Sequence, residues 1–212
     1  MTSGIFITLE GGEGSGKSTQ IRLLAESLKA LSREVVITRE PGGTPEAEKI
    51  RDFLVKRDGG NWTPMAECLL LYAARQMHVE SLIKPALVEG KIVISDRFAD
   101  STRAYQSFGH GLPLATVEEL NKLSLGDFGP DLTFILDLPV DTGLARAGRR
   151  LNAAQSQEDR FEKLGSPFHE RLRQGYLEIA KRDSKRCVVI DATRSIEQIA
   201  HDLSTRVKEK LA

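Results

Sequence analysis

The chain is poor in cysteine, the residue that staples small secreted folds, with two in 212 residues. Cys68 and Cys187 stand far apart in apolar runs, with no C-x-x-C spacing. That excludes a disulfide framework and predicts buried free thiols in a reducing compartment. Net charge is also missing. Lysine plus arginine equals aspartate plus glutamate at 30 each, so no overall positive field exists to hold nucleic acid, and charged ligands must be met by local clusters. No apolar stretch approaches the length of a membrane span, and residues 1–10 lack the basic region and apolar core of a signal peptide. The expectation is a soluble cytoplasmic protein with no nucleic-acid or membrane partner. The four histidines, His78, His110, His169 and His201, have no partners at metal-ligand spacing, so surface or helix-packing roles are expected and no zinc site. Repeats and low-complexity linkers are absent, and the length suits one domain, 1–212, with a proper core.

What is present is organised around residues 5–31. Ile5, Phe6, Ile7 and Leu9 form a short β-rich run, and Ile21, Leu24, Leu28 and Leu31 recur at helical spacing. Between them Gly11-Gly12-Glu13-Gly14-Ser15-Gly16-Lys17-Ser18 matches G-x-x-x-x-G-K-[ST]. The glycines let backbone N–H groups turn inward as an anion nest, and the helix that follows adds its own unpaired N–H groups. Lys17 is placed to reach β- and γ-phosphates, and the Ser18 hydroxyl to ligate Mg²⁺. Gly11 to Thr19 is therefore the expected nucleotide site, with ATP and Mg²⁺ as its ligands.

The remaining chain alternates strands and helices. Val35–Thr38 reads as a second strand and ends in Arg39-Glu40-Pro41-Gly42-Gly43, where Pro41 and the glycines set a sharp reversal. A helix is predicted over 45–56, carrying Arg51. Trp62 reads as a packing anchor. Thr63-Pro64 is an N-cap followed by proline at the first helical position, opening a long helix over 65–89 that Gly90 closes. Ile92–Ser95 is a third strand delivering Asp96-Arg97 to its C-terminal end, where the Asp suits a metal-bound water or a proton and the Arg a phosphate. Thr102, Tyr105 and Gln106 follow on a short helix, spaced to share a face. Further helices are predicted over 114–125, 142–150 and 167–182, strands over 131–138 and 188–190, and a last helix marked by Ile196, Ile199, Leu203 and Val207. Arg146, Arg149 and Arg150 precede a polar stretch at 152–158, a pattern that suits either a lid over phosphates, at about 145–162, or a solvated basic face. Five strands separated by helices, without a hairpin signal, predict an α/β fold: a parallel five-stranded sheet of P-loop type, covered by helices on both faces.

With the P-loop, Glu40-Pro41-Gly42-Gly43, Tyr72-Ala73-Ala74-Arg75, Asp96-Arg97 and Ala104-Tyr105-Gln106 in that order, the chain resembles thymidylate kinases of the nucleoside monophosphate kinase group. The resemblance spans nearly the whole chain. It implies phosphoryl transfer from MgATP to thymidine monophosphate. Glu13 then matches the acidic residue that meets the sugar 3′-hydroxyl, and Arg51 and Arg97 match clamps on the acceptor phosphate. Arg75 matches a ligand of a thymine carbonyl, Thr102 and Gln106 lie near the base edge, Tyr105 lies under the sugar, and Glu40 and Pro41 join the acceptor set. Asp96 matches the carboxylate beside Mg²⁺, with Ser18 as the other protein ligand. Lys17, Asp96, Arg97, Arg149 and Arg150 form the implied catalytic group. Family members usually carry a stacking Phe where this chain has Leu71, so either Leu71 or Tyr72 packs on the base. Others carry an arginine in the P-loop at the position of Gly14, which leaves the lid arginines to meet transition-state charge here. The resemblance also implies a homodimer.

Two other functions share parts of this pattern. A P-loop GTPase switch needs a guanine-reading Asn-Lys-x-Asp, and Asn121-Lys122-Leu123-Ser124 lacks the Asp. A kinase for another nucleotide or a deoxynucleoside would differ only in the acceptor pocket.

Overall fold

The computed structural model describes residues 4–56, 60–154 and 160–211. Among them β1 (Ile5–Glu10), β2 (Val35–Arg39), β3 (Ile92–Asp96), β4 (Leu132–Asp137) and β5 (Cys187–Asp191) form one parallel sheet in the order β2-β3-β1-β4-β5. Helices α1 (Lys17–Lys29), α2 (Pro45–Val55), α3 (Pro64–His78), α4 (Lys84–Val88), α5 (Ala99–Thr102), α6 (Leu114–Leu125), α7 (Val140–Ala154), α8 (Ser166–Arg182) and α9 (Ile196–Leu211) make the connections.

β1 is buried along its full length because it lies in the middle of the sheet. Its side chains alternate between two cores. Ile5, Ile7 and Leu9 pack with Ile21, Leu24 and Leu28 of α1 and with Ile199, Leu203 and Val207 of α9. Phe6 packs on the opposite side with Val79, Ile83, Val93 and Phe98. Thr8 meets Thr133 across the strands, hydroxyl to hydroxyl at 2.7 Å, so its polarity is satisfied inside the sheet. The chain reverses direction of travel on either side of β1, which opens a crevice at the C-terminal ends of β1, β3 and β4.

Most predicted elements are present with ends moved by a residue or two. The helix expected over 65–89 is a continuous rod from Pro64 to Val88, but its middle turn, Val79–Ile83, is π-helical. Pro85 supplies no N–H to the ladder, and the Lys84 N–H reaches back five residues to the Val79 carbonyl. The helix predicted over 142–150 runs longer, so residues 152–154, expected in a polar stretch, continue α7. Residues 155–159, the centre of the expected lid, lie outside the described residues. Thr63 caps α3 through its hydroxyl, which accepts from Ala66 N at 3.3 Å, and Trp62 Nε1 donates to Phe53 O at 3.0 Å, joining α2 to α3.

Candidate active site

The glycine-rich loop leaves β1 at the centre of the crevice and turns directly into α1. Gly14 has φ 68° and sits under α7, where a Cβ would overlap the Gly143 carbonyl oxygen. No side chain fits there, so an arginine at this position is sterically excluded. Lys17 folds back along the loop, donating to the carbonyls of Gly11 and Gly12 at 3.1 Å each. Burial, then the neighbouring Arg97 charge, lowers its pKa to about 8 against the pull of Asp96 and Glu13. Gly14, Ser15, Gly16, Lys17, Ser18 and Thr19 line one cleft, together with Arg39, Asp96, Arg146 and Arg150. Ser18 Oγ donates to Asp96 Oδ2 at 3.2 Å, so a hydroxyl from α1 and a carboxylate from the end of β3 converge on the cleft floor.

Arg97 follows Asp96 with φ 71°, an unusual conformation for a residue with a side chain. It is held there by many partners. Nη1 donates to Gly11 O at 3.0 Å, Ser101 Oγ at 3.2 Å and Tyr176 Oη at 3.0 Å, while Nη2 donates to Glu13 Oε1 at 2.8 Å. Tyr105 Oη donates to the same Glu13 oxygen at 2.5 Å. Burial alone would raise the Glu13 pKa, but Arg97, Lys17 and the Tyr105 hydrogen bond outweigh it and bring it to about 2. Glu13 is thus an anion at any ordinary pH, tied to both the loop and Tyr105.

A second cleft opens behind this trio, lined by Glu13, Glu40, Pro41, Arg51, Leu71, Arg75, Arg97, Phe98, Ser101, Thr102, Tyr105, Gln106 and Arg150, with Val55 and Phe161. Arg75 is 2 % exposed. Its guanidinium lies between the rings of Tyr72 and Phe98, at 4.8 and 5.2 Å, donating from Nε to Glu40 Oε2 at 2.7 Å and from Nη2 to Thr102 Oγ1 at 2.9 Å. Arg75 Nη1 and Gln106 Oε1 are buried without a partner among the described residues. An N–H donor and a C=O acceptor are therefore left over in the lining of one pocket, a complement for a ligand edge carrying one acceptor and one donor. The two clefts share Glu40, Arg51, Arg97 and Arg150, so they meet over a ring of three arginines.

A family model described as Thymidylate kinase matches residues 9–203. The chain belongs to the thymidylate kinase family. A thymidylate kinase of Caulobacter vibrioides is 52% identical over 211 residues, covering 100% of this chain and 99% of that protein. One of Trichlorobacter lovleyi is 47% identical over 209 residues, covering 98% and 99%. The crystal structure of thymidylate kinase from Ehrlichia chaffeensis superposes with a TM-score of 0.76 at 38% identity, covering 97% of this chain and 99% of that one. The five-stranded parallel sheet is the nucleoside monophosphate kinase-like fold of that family.

Within this thymidylate kinase fold, neighbouring residues that the sequence left as alternatives take different positions. Leu71 lines the second cleft, whereas Tyr72 turns away, donating to Val117 O on α6 at 3.2 Å. Arg150 and Arg146 line the first cleft; Arg149, one position further round α7, lines neither. Both Glu40 carboxylate oxygens are occupied within the protein, one by Arg75 and one by His78 Nδ1 at 3.0 Å, and His78 Nε2 meets Thr38 Oγ1 at 2.6 Å. His78 therefore supports the site rather than merely packing a helix. A Cβ on Gly43, at φ 89°, would strike His78 Nε2 and Thr38 Oγ1 at 2.5 Å, which explains the second glycine of that loop. Glu10 was also missed. It accepts from Phe98 N at 2.8 Å and Ser101 Oγ at 2.6 Å, holding the segment after Arg97, and burial and the nearby Asp100 charge raise its pKa to about 7. Phe98, Ser101 and Tyr176 escaped notice as well; the one sequence signal was that Phe98 directly follows Asp96-Arg97 and Ser101 comes four positions after Arg97.

Proposed function

We propose that this chain transfers the γ-phosphoryl group of ATP to thymidine monophosphate, giving thymidine diphosphate and ADP. The observation that carries the reading is the junction of a P-loop cleft with a pocket whose Arg75 Nη1 and Gln106 Oε1 lack partners among the described residues. Thymine presents a matching edge, with O4 accepting from Arg75 and N3–H donating to Gln106. Glu13 meets the sugar 3′-hydroxyl, and the Tyr105 ring, pinned through its hydroxyl, lies where a 2′-hydroxyl would clash. Leu71 and Phe98 pack on the base.

The acceptor phosphate is already a nucleophile, so catalysis is positioning and charge neutralisation. Arg51 and Arg97 hold that phosphate, while the P-loop N–H groups and Lys17 hold the donor phosphates. Arg150, supported by Arg146, meets the charge that spreads over the transferring group. Ser18 Oγ and Asp96 Oδ2 are hard oxygen donors on an open cleft, a set that suits Mg²⁺ with water and phosphate oxygens as its other ligands. Held by these two residues, the ion would supply charge neutralisation on the donor side. ADP release that requires both ATP and thymidine monophosphate tests the reading; release independent of the acceptor would contradict it.

The Lys17 pKa of about 8 leads to a pH effect on the donor side. Above that pH free Lys17 is increasingly neutral, yet the nucleotide phosphates bind the ammonium form. ATP affinity is therefore expected to fall as pH rises from 8 to 9, by up to about tenfold per unit, with proton uptake on binding. Calorimetry at pH 9 in two buffers of different ionisation enthalpy measures that uptake. Equal heats in the two buffers would contradict it.

The homodimer reading rests on a surface stripe. Met65, Leu69, Ala73 and Met77 recur every four residues along the exposed side of α3, and Phe53 of α2 is also exposed. A second copy covering this stripe buries it, and sedimentation equilibrium showing only monomer at micromolar concentration would contradict that pairing. Cys68 and Cys187 are both free and buried, which fits a cytoplasmic enzyme.

A further inference from the structure

The Gln106 amide is fixed in one orientation by a carboxylate that has no place yet in the reaction. Gln106 Nε2 donates to Glu67 Oε1 at 2.6 Å. A carboxylate only accepts, so the amide nitrogen must face Glu67 and Oε1 is the atom left over. Both residues are buried, and Gln106 lines the acceptor pocket beside Arg75. Glu67 is itself held. Arg160 forms an ion pair with its Oε2 without hydrogen-bond geometry and also donates to Leu54 O at 2.9 Å, and His110 Nε2 lies 3.8 Å from its Oε1, beyond hydrogen-bond reach. A buried carboxylate supported in this way resists rearrangement. Glu67 also shares α3 with Arg75, so one helix carries the arginine and the group that orients the amide.

We propose that Glu67 is a positioning residue for pyrimidine specificity: by holding the Gln106 amide nitrogen, it leaves only an acceptor for the base, and the pocket then selects a ring N3–H. The inference rests on thymidine monophosphate being the acceptor. Thymine and uracil both carry N3–H, whereas cytosine presents a lone pair at N3, which meets Gln106 Oε1 as acceptor against acceptor. An unrestrained amide could turn over and donate to cytosine N3. Glu67 forbids that turn, because a turned amide would set oxygen against carboxylate at hydrogen-bond distance. The 5-methyl group lies outside this device, so the choice between thymine and uracil does not depend on Glu67.

Steady-state kinetics with thymidylate, deoxyuridylate and deoxycytidylate on wild type and Glu67→Gln test the proposal, since glutamine can accept or donate and frees the amide to turn. The ratio of kcat/KM for thymidylate over deoxycytidylate is expected to fall by about tenfold, while the thymidylate to deoxyuridylate ratio holds within about twofold. The thymidylate loss should fall on KM more than on kcat. In a Gln106→Leu background the same substitution should leave the deoxycytidylate ratio unchanged. A parallel loss on all three acceptors, or an unchanged deoxycytidylate ratio, overturns the inference. Wild type that turns over ATP without preferring thymidylate would instead remove the reading beneath it. Should Glu67→Gln not fold, NMR of the wild-type Gln106 side-chain amide, assigned by its loss in Gln106→Leu, decides the matter. Slow solvent exchange with one proton shifted downfield supports the carboxylate contact, and fast exchange at ordinary shifts overturns it.

Discussion

Arg150→Ala is expected to lower kcat by roughly 10³-fold, as for an arginine that meets transition-state charge in related phosphoryl transfer, with little change in thymidylate affinity. Arg150 lines both clefts, and Gly14, packed under Gly143 and Arg146, has no room for a side chain, so the P-loop cannot supply an arginine of its own. Loss of kcat and of kcat/KM by the same factor is the signature of a contact made only in the transition state. Arg149→Ala serves as the neighbouring control, because Arg149 lines neither cleft. Steady-state rates on the two variants settle the assignment. Near-normal kcat in Arg150→Ala, or an equal loss in Arg149→Ala, would mean that α7 contributes a solvated basic face instead.

Arg97→Ala should damage acceptor binding and turnover together. A lost charge-assisted bond to phosphate is worth about 1.5 to 3 kcal/mol, and Glu13 then loses its guanidinium partner inside the fold. The kcat/KM for thymidylate is expected to fall by about 10²-fold or more. ATP affinity should fall less. It should not be untouched, because Arg97 Nη1 also holds the Gly11 carbonyl of the P-loop. Calorimetric titration with each substrate separately measures both losses. A larger loss for ATP than for thymidylate would assign Arg97 to the donor side.

Local physics made much of this molecule readable from its residues. The G-x-x-x-x-G-K-S loop lies between an apolar run and a helical repeat, so strand, nest and helix followed from short-range rules. Asp96-Arg97 could be placed at a strand end because the β-branched run Ile92-Val93-Ile94 stops just before it. Contacts between distant segments were another matter. Glu67 reaches Gln106 across 39 positions, Arg97 reaches Tyr176 across 79, and His78 reaches Glu40 across 38, and no periodicity encodes such pairings. Helix phase was equally opaque. Leu71 and Tyr72 differ by about 100° around α3, as do Arg149 and Arg150 around α7, and only the packing of each helix decides which neighbour faces the cleft. The π turn at Val79–Ile83 adds a shift of register that a regular helical reading does not anticipate.

On the proposed reading, Arg75, Gln106 and Tyr105 make the second cleft a thymidylate pocket. ADP release at fixed ATP, measured with thymidylate, deoxyuridylate, deoxycytidylate and the ribonucleotide of uracil, decides whether they do. Thymidylate should be the best acceptor. Deoxyuridylate, lacking one methyl in an apolar contact worth about 1 to 3 kcal/mol, should be slower but active. Deoxycytidylate and the ribonucleotide should be poorer still, the first mismatched against Arg75 and Gln106 and the second crowded by Tyr105. Equal turnover of deoxycytidylate and thymidylate would contradict the account.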